Sequence, residues 1–312
     1  MKEPLVGILM ATYNGEKFLA EQLDSIINQT YKNWILVIHD DGSTDSTINI
    51  IKEYVNKYPD KIILVEDGIK CGGAKENFFH LINIAKSNFT FDYIMFSDQD
   101  DVWLPEKIEI TLNKMIETEN KYGKNKPILV HTDLKVVDKT LNLIHPSFWG
   151  YQKINPYDNS LNCLFLENTV TGCTMMINKV LFDKIIVNKN AMVHDWWIAL
   201  ICRINDGLII PIEKQTILYR QHEKNDIGAK EASLRKRMIR FLKNPIGTIK
   251  KRILFAQRKR KQKKTIQEIY SSNTSDIIKK EFLSVGFSNI KLRFFLLNNK
   301  FLCRIYKLIK LR

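Results

Sequence analysis

The sequence predicts an α/β protein with a mostly parallel sheet and helices on both faces. Two observations carry that reading. Short apolar runs alternate with segments of helical period through the first hundred residues, the pattern of strand–helix–strand units. The composition, 45% hydrophobic and 26% charged with 13 Gly and 8 Pro in 312 residues, is that of a globular chain and excludes collagen-like, low-complexity or wholly disordered structure.

In chain order, residues 6–10 read as a buried strand. Leu19, Leu23, Ile26 and Ile27 fall at helical spacing, in a helix ending near Tyr31. Residues 34–38 form a second strand, closed by the turn-rich run Asp40-Asp41-Gly42-Ser43-Thr44-Asp45. Ile48, Ile51 and Val55 continue as a helix, followed by a strand at 62–65, a helix over 77–85 and a strand at 93–96. Beyond these, 128–131 and 170–177 read as strands, 195–203 as a helix, and 209–212 with 216–219 as a closing pair. After Gly228 the chain becomes Lys/Arg-rich and helical, broken at Asn244-Pro245 and at 271–275.

The net charge of +14 is unevenly spread. Residues 229–312 hold 24 Lys and Arg against 4 Asp and Glu, a balance of +20, leaving the first 228 residues with 24 against 30, a balance of −6. A mildly acidic body thus carries a strongly basic tail, which suits an anionic partner. Five scattered cysteines without a Cys-x-x-Cys pair predict neither a disulfide framework nor a zinc site. The N-terminal apolar run is too short for a signal peptide, and no window reaches the ~18 apolar residues of a membrane span. A cytoplasmic protein, peripheral on the cytosolic membrane face, is expected.

In open α/β sheets ligands bind beyond the carboxyl ends of the strands. Three such ends are informative: Thr12-Tyr13-Asn14-Gly15, Asp40-Asp41-Gly42-Ser43 and Ser97-Asp98-Gln99-Asp100-Asp101. Carboxylates gathered in one crevice repel one another, and a divalent cation resolves the repulsion. Asp98-x-Asp100 has the hard oxygen donors that Mg²⁺ or Mn²⁺ takes while leaving positions for phosphate oxygens. The alternative is that both clusters are solvated turns and helix caps. No Gly-x-Gly-x-x-Gly, Walker or nucleophile-elbow motif is present, and Gly72-Gly73 lacks phosphate-loop spacing.

Ala11-Thr12-Tyr13-Asn14, Gln29-Thr30-Tyr31, Asp40 to Asp45 and Ser97-Asp98-Gln99-Asp100-Asp101-Val102-Trp103 resemble family 2 of the inverting nucleotide-sugar glycosyltransferases. Glu167 to Met176, His194-Asp195-Trp196-Trp197 and Tyr219-Arg220-Gln221-His222-Glu223 look like the bacterial rhamnosyltransferases of surface polysaccharides. The resemblance covers roughly residues 5 to 230. It implies a GT-A domain over 1–228, with a nucleotide-sugar half to about 104 and an acceptor half beyond, followed by a basic helical region over 229–312.

The resemblance also implies roles. Ala11, Thr12, Tyr13, Asp41, Asn77, Asp98 and Gln99 would bind the nucleotide-sugar, with Tyr13 against the base and Asp41 accepting from a pyrimidine imide. Asp100 and His222 would hold Mg²⁺ or Mn²⁺, and Asp195 would be the general base. Thr171, Gly172, Trp196 and Trp103 would line the acceptor or sugar pocket. The implied donor is dTDP-β-L-rhamnose, with a UDP-hexose or UDP-N-acetylhexosamine as the alternative, and the acceptor a saccharide, lipid-linked in many such enzymes. Each role has a plainer rival: Asp195 as a helix cap, His222 as a loop histidine, both tryptophans as core. An inactive sugar-nucleotide-binding module is the different-class reading. Basic and apolar residues interleaved on the tail suit an anionic membrane surface; the plainer reading is helices packed on the catalytic body with solvated basic faces, and no nucleic-acid motif accompanies the charge.

Overall fold

Val6–Thr12 (β1) is buried along nearly its whole length, so it must lie inside a sheet covered on both faces. A computed structural model of the chain, described here for residues 3–223 and 245–270, places it there. Trp34–Asp40 (β2) and Tyr93–Ser97 (β4) flank β1 in parallel, and Ile62–Val65 (β3) extends the sheet beyond β2. Leu19–Ile27 (α1), Thr47–Lys57 (α2) and Ala74–Asn88 (α3) make the crossovers. The last of these begins three residues ahead of the expected helix, because Gly72 and Gly73 take positive φ and let the chain turn directly into it.

Beyond β4 the sheet is mixed. Its order is β3-β2-β1-β4-β8-β6-β9-β5, with β7 (Leu143–His145) pairing β6. Here β5 is Val102–Trp103, β6 Ile128–Val137, β8 Met175–Asn178 and β9 Leu208–Arg220. Lys107–Tyr122 (α4), Phe148–Gln152 (α5), Leu161–Leu164 (α6), Lys179–Lys184 (α7) and His194–Ile204 (α8) connect them. The expected strand at 170–177 is halved: Thr174 bonds back to the Thr171 carbonyl, winding Gly172–Thr174 into a 3-10 turn before β8. The expected closing pair at 209–212 and 216–219 is instead one strand, β9, parallel to β6. Its polar Glu213 and Lys214 form a bulge opposite the step from Thr132 to Asp133, and Gln215 donates to Asp133 at 3.1 Å.

One helix of the basic region is described, Pro245–Tyr270 (α9). It packs on the segments around Leu166 and Met192: Gln262 accepts from the Met192 amide at 2.6 Å, Asn190 donates to Thr265 at 2.8 Å, Lys259 donates to the Leu166 carbonyl, and Ile266 is fully buried. The compact unit that holds the sheet runs from Met1 to Ser272 and takes in α9. The basic cluster 235–237, the break at 271–275 and Cys303 lie outside the described residues. Among the described residues the cysteines are free, and no helix is long and apolar enough to cross a membrane.

Candidate active site

The chain leaves β1 toward β2 and β3, then returns to the other side of β1 as β4. That reversal opens a crevice at the carboxyl ends of β1 and β4. Gln99 spans it, accepting from the Tyr13 amide and donating to the Tyr13 carbonyl, both at 2.9 Å. Clipped at its backbone, Tyr13 leaves its ring 55% exposed, a flat face open to a nucleobase. Thr12 is buried and donates to Asp40 at 2.8 Å, while Asp40 also accepts from the Gly42 and Ser43 amides. Ala11 is half-buried opposite His39 in the register.

Asp41 stands beside this crevice. The amides of Cys71, Gly72 and Gly73 all donate to its carboxylate. A carboxylate has about four acceptor sites, so three amides leave it room for one more donor such as an imide N–H. Asn77 lies behind the crevice rather than in it. It is 1% exposed, and its amide donates to the His39 carbonyl at 3.1 Å while its oxygen meets His39 Nδ1 at 2.7 Å. It braces the ends of β1 and β2, and its burial corrects the expectation that it touches the donor.

At the end of β4, His222 Nε2 approaches Asp100 Oδ2 to 2.7 Å. Arg220 sets this meeting across 120 residues of chain: its Nε donates to the Asp100 carbonyl at 2.8 Å, its Nη1 to the Lys139 carbonyl at 2.7 Å, and Nη2 pairs with Glu21. The Phe18 ring lies against both the Arg220 guanidinium and the His222 ring. A hard carboxylate and an imidazole converging on one partly open point fit a Mg²⁺ or Mn²⁺ ion. Asp98 is half-buried nearby, its carboxylate within 4.8 Å of donor atoms on Asp101 and Cys173. Those three form a second cluster of candidate donors beside the pair. Burial, then the charges of Asp100 and Asp98, push the Asp101 carboxyl well above its usual range, and burial does the same to the Cys173 thiol.

Asp195 faces from the first turn of α8. One oxygen accepts from the Trp196 amide at 2.6 Å and the other from the Gly172 amide at 2.9 Å. Burial nonetheless lifts its carboxyl to about 6, against those hydrogen bonds, which lower it. His194 stacks on Phe78 at 4.0 Å, and burial drops its imidazole to about 3, so it stays neutral. A Cβ on Gly172 would lie 2.6 Å from His194 Nε2, so this glycine makes room for the histidine. Thr171 is half-buried and its carbonyl holds the 3-10 turn. The two tryptophans assigned to the sugar pocket are core residues: Trp103 is 2% exposed beneath the Lys107 ammonium, and Trp196 is 4% exposed with its indole N–H on the Leu164 carbonyl at 2.5 Å. Indole rings of that size fill the space between sheet and helices, which removes them from solvent.

Sequence reasoning missed the 71–73 amides and the Arg220 bracket. Gly72-Gly73 was the available signal for the first; tested against phosphate-loop spacing, it gives no hint of a backbone grip on a carboxylate.

The family profile described as Glycosyl transferase family 2 matches residues 7–186. The dTDP-rhamnosyl transferase RfbG of Shigella flexneri is 37% identical over 230 residues, covering 70% of this chain and 74% of that one. Among solved structures, S. aureus TarS 1-349 in complex with UDP-GlcNAc is similar in fold, with a TM-score of 0.51 at 18% identity over 73% of this chain and 62% of that chain. The mannosyltransferase PcManGT from Pyrobaculum calidifontis, in complex with GDP-Man and Mn2+, gives a TM-score of 0.50 at 18% identity over 72% of this chain and 59% of that chain. The chain therefore spans about three fifths of each of these two crystallised chains.

Proposed function

The chain belongs to glycosyl transferase family 2 and is a glycosyltransferase; from that premise we propose that it transfers L-rhamnose, with inversion, from dTDP-β-L-rhamnose to a saccharide acceptor. The observation that carries the reading is an acid–imidazole pair together with a separate, partly buried carboxylate. The Asp100–His222 pair meets at 2.7 Å, and Asp195 is a carboxylate whose pKa is lifted to about 6. The similarity to RfbG, a dTDP-rhamnosyl transferase, supports the donor.

In this reading Tyr13 stacks on the thymine and Asp41, already oriented by three amides, accepts the imide N–H. Asp100 and His222 would hold a Mg²⁺ or Mn²⁺ ion, which when bound would supply Lewis-acid stabilisation of the departing diphosphate. Asp195 takes the proton of the acceptor hydroxyl as that oxygen attacks the anomeric carbon from the face opposite the leaving group. A base at pKa ~6 is ionised at neutral pH yet stronger than an ordinary carboxylate, which favours proton abstraction. A single displacement inverts the centre, giving an α-L-rhamnoside. The basic residues 229–312 hold the enzyme at an anionic membrane, where a lipid-linked acceptor resides.

Transfer assayed with dTDP-rhamnose against UDP-glucose and UDP-N-acetylglucosamine, each with Mn²⁺ and Mg²⁺, tests the reading. Preference for dTDP-rhamnose is expected; turnover of UDP-sugars alone would favour the second reading, a UDP-hexose or UDP-N-acetylhexosamine transferase. That reading draws on Asp41, because uracil and thymine present the same imide.

A further inference from the structure

Another cluster of metal-ligating groups lies beside Asn77, whose side-chain oxygen meets His39. His39 on β2, His80 on α3 and Asp67 after β3 bring one ligand atom each to within 4.8 Å of one another. His39 Nε2 is 3.3 Å from Asp67 Oδ1, and His80 Nε2 is 2.6 Å from Asp67 Oδ2. The two imidazole rings meet edge to face at 4.6 Å.

The hydrogen bonding on the other side of His39 fixes its tautomer. Asn77 Nδ2 donates to the carbonyls of His39 and Thr12, which turns Asn77 Oδ1 toward His39 Nδ1 at 2.7 Å. A carbonyl oxygen only accepts, so Nδ1 carries the hydrogen. His39 therefore meets Asp67 Oδ1 through Nε2, an approach that a proton on Nε2 makes an ion pair and a metal ion makes ligation. The Nδ1–H on an amide oxygen is the outer contact that metal-bound histidines make to fix ring orientation. His39 is buried, whereas Asp67 and His80 are partly exposed and leave an ion a way in.

We propose that His39, Asp67 and His80 form a Zn²⁺ site, separate from the Asp100–His222 pair, with water in the fourth position. Two imidazoles and one carboxylate are a zinc donor set, and bonds of about 2.0–2.1 Å in tetrahedral array set donors about 3.3 Å apart. His80 and Asp67 reach that spacing by separating by less than about 1 Å. The sequence predicts no zinc site because that expectation follows cysteine spacing; a strand histidine and a helix histidine 41 positions apart make no such pattern. The ion would tie the sheet and α3 to the loop that starts at Asp67 and ends in the three amides gripping Asp41.

The test uses the untagged full-length protein and metal alone. Equilibrium dialysis against Zn²⁺, and Co²⁺ substitution read by tetrahedral ligand-field absorption, are run on wild type, Asp100→Ala, His80→Gln and Asp67→Asn. One equivalent of tight Zn²⁺ and the tetrahedral Co²⁺ spectrum are expected in wild type and Asp100→Ala, with both lost in His80→Gln and Asp67→Asn. His80 is partly exposed, so His80→Gln should stay folded, with unchanged circular dichroism as the control. Absence of tight binding in wild type, retention in His80→Gln, or loss in Asp100→Ala each overturns the site.

Discussion

The Gly172 amide hydrogen is aimed at Asp195 Oδ2 across 2.9 Å, and the space where a side chain on Gly172 would stand is filled by the His194 ring. The 3-10 turn and the start of α8 are therefore fitted to each other around one carboxylate. That fit orients Asp195 while its burial raises its basicity.

Gly172→Ala tests the fit. The new methyl meets His194 Nε2 at 2.6 Å and Cε1 at 3.0 Å, and that ring is backed by Phe78 and so has little room to yield. A loss of about 1–3 kcal/mol in stability is expected, with a fall in kcat larger than any change in donor KM. Denaturant unfolding and steady-state kinetics read both.

The pH profile follows from Asp195. Only the ionised carboxylate abstracts a proton, so kcat/KM should rise with pH through a limb centred near 6 and level off above it. Asp195→Asn should lower kcat by ~10²–10⁴-fold; full activity would remove Asp195 from the chemistry. Stability has the opposite sign. A carboxyl raised from 3.8 to about 6 contributes fully below the unfolded value and loses its contribution as pH climbs to the folded one. Wild type should lose up to about 2 kcal/mol relative to Asp195→Asn between pH 4 and pH 7, allowing for partial exposure.

Removing a donor from the Asp100–His222 pair should act on metal dependence first. Asp100→Ala is expected to cut kcat/KM by about 10³-fold, several kcal/mol of transition-state stabilisation. His222→Ala should raise the Mn²⁺ concentration needed for half-maximal activity. Titration of Mn²⁺ into each variant, with chelator-treated wild type as reference, reads the effect; unchanged metal dependence in both would reject the assignment.

Ile253, Leu254 and Phe255 on α9 are 53%, 55% and 43% exposed, beside a strongly basic stretch of sequence. Replacing Ile253 and Leu254 by serine in the full-length protein should weaken sedimentation with anionic vesicles at low salt. The melting temperature should change little, because the packing face is carried by Phe255, whose ring meets Trp196 and Lys259, and by Gln262, Thr265 and Ile266. Undiminished vesicle binding would separate this patch from the membrane.

The first four strands and three crossover helices are legible because the strands are short apolar runs and the helices carry apolar residues at helical spacing, both local properties. Beyond Trp103 legibility falls. β5 has two residues, too short for periodicity, and β9 reads as two strands because its polar bulge interrupts the alternation. The acids at the strand ends stand out by position, whereas Arg220, which brackets Asp100, is one basic residue among many until its partners are seen.

By itself the sequence determined the family, the α/β class and the residue types at the ends of β1, β2 and β4, since these depend on short-range pattern. The tertiary structure alone decided which of those residues face the crevice. Asn77, Trp103 and Trp196 are turned into the interior, while His39, Asp67 and His80 meet, because side-chain direction and burial arise from packing between segments far apart in the chain. The same packing divides the carboxylates: Asp195 keeps two amide donors and a lifted but usable pKa, whereas burial and the charges of Asp100 and Asp98 push the Asp101 carboxyl well above its usual range. Desolvation and charge proximity are properties of the folded state, and they separate acids that look alike in sequence.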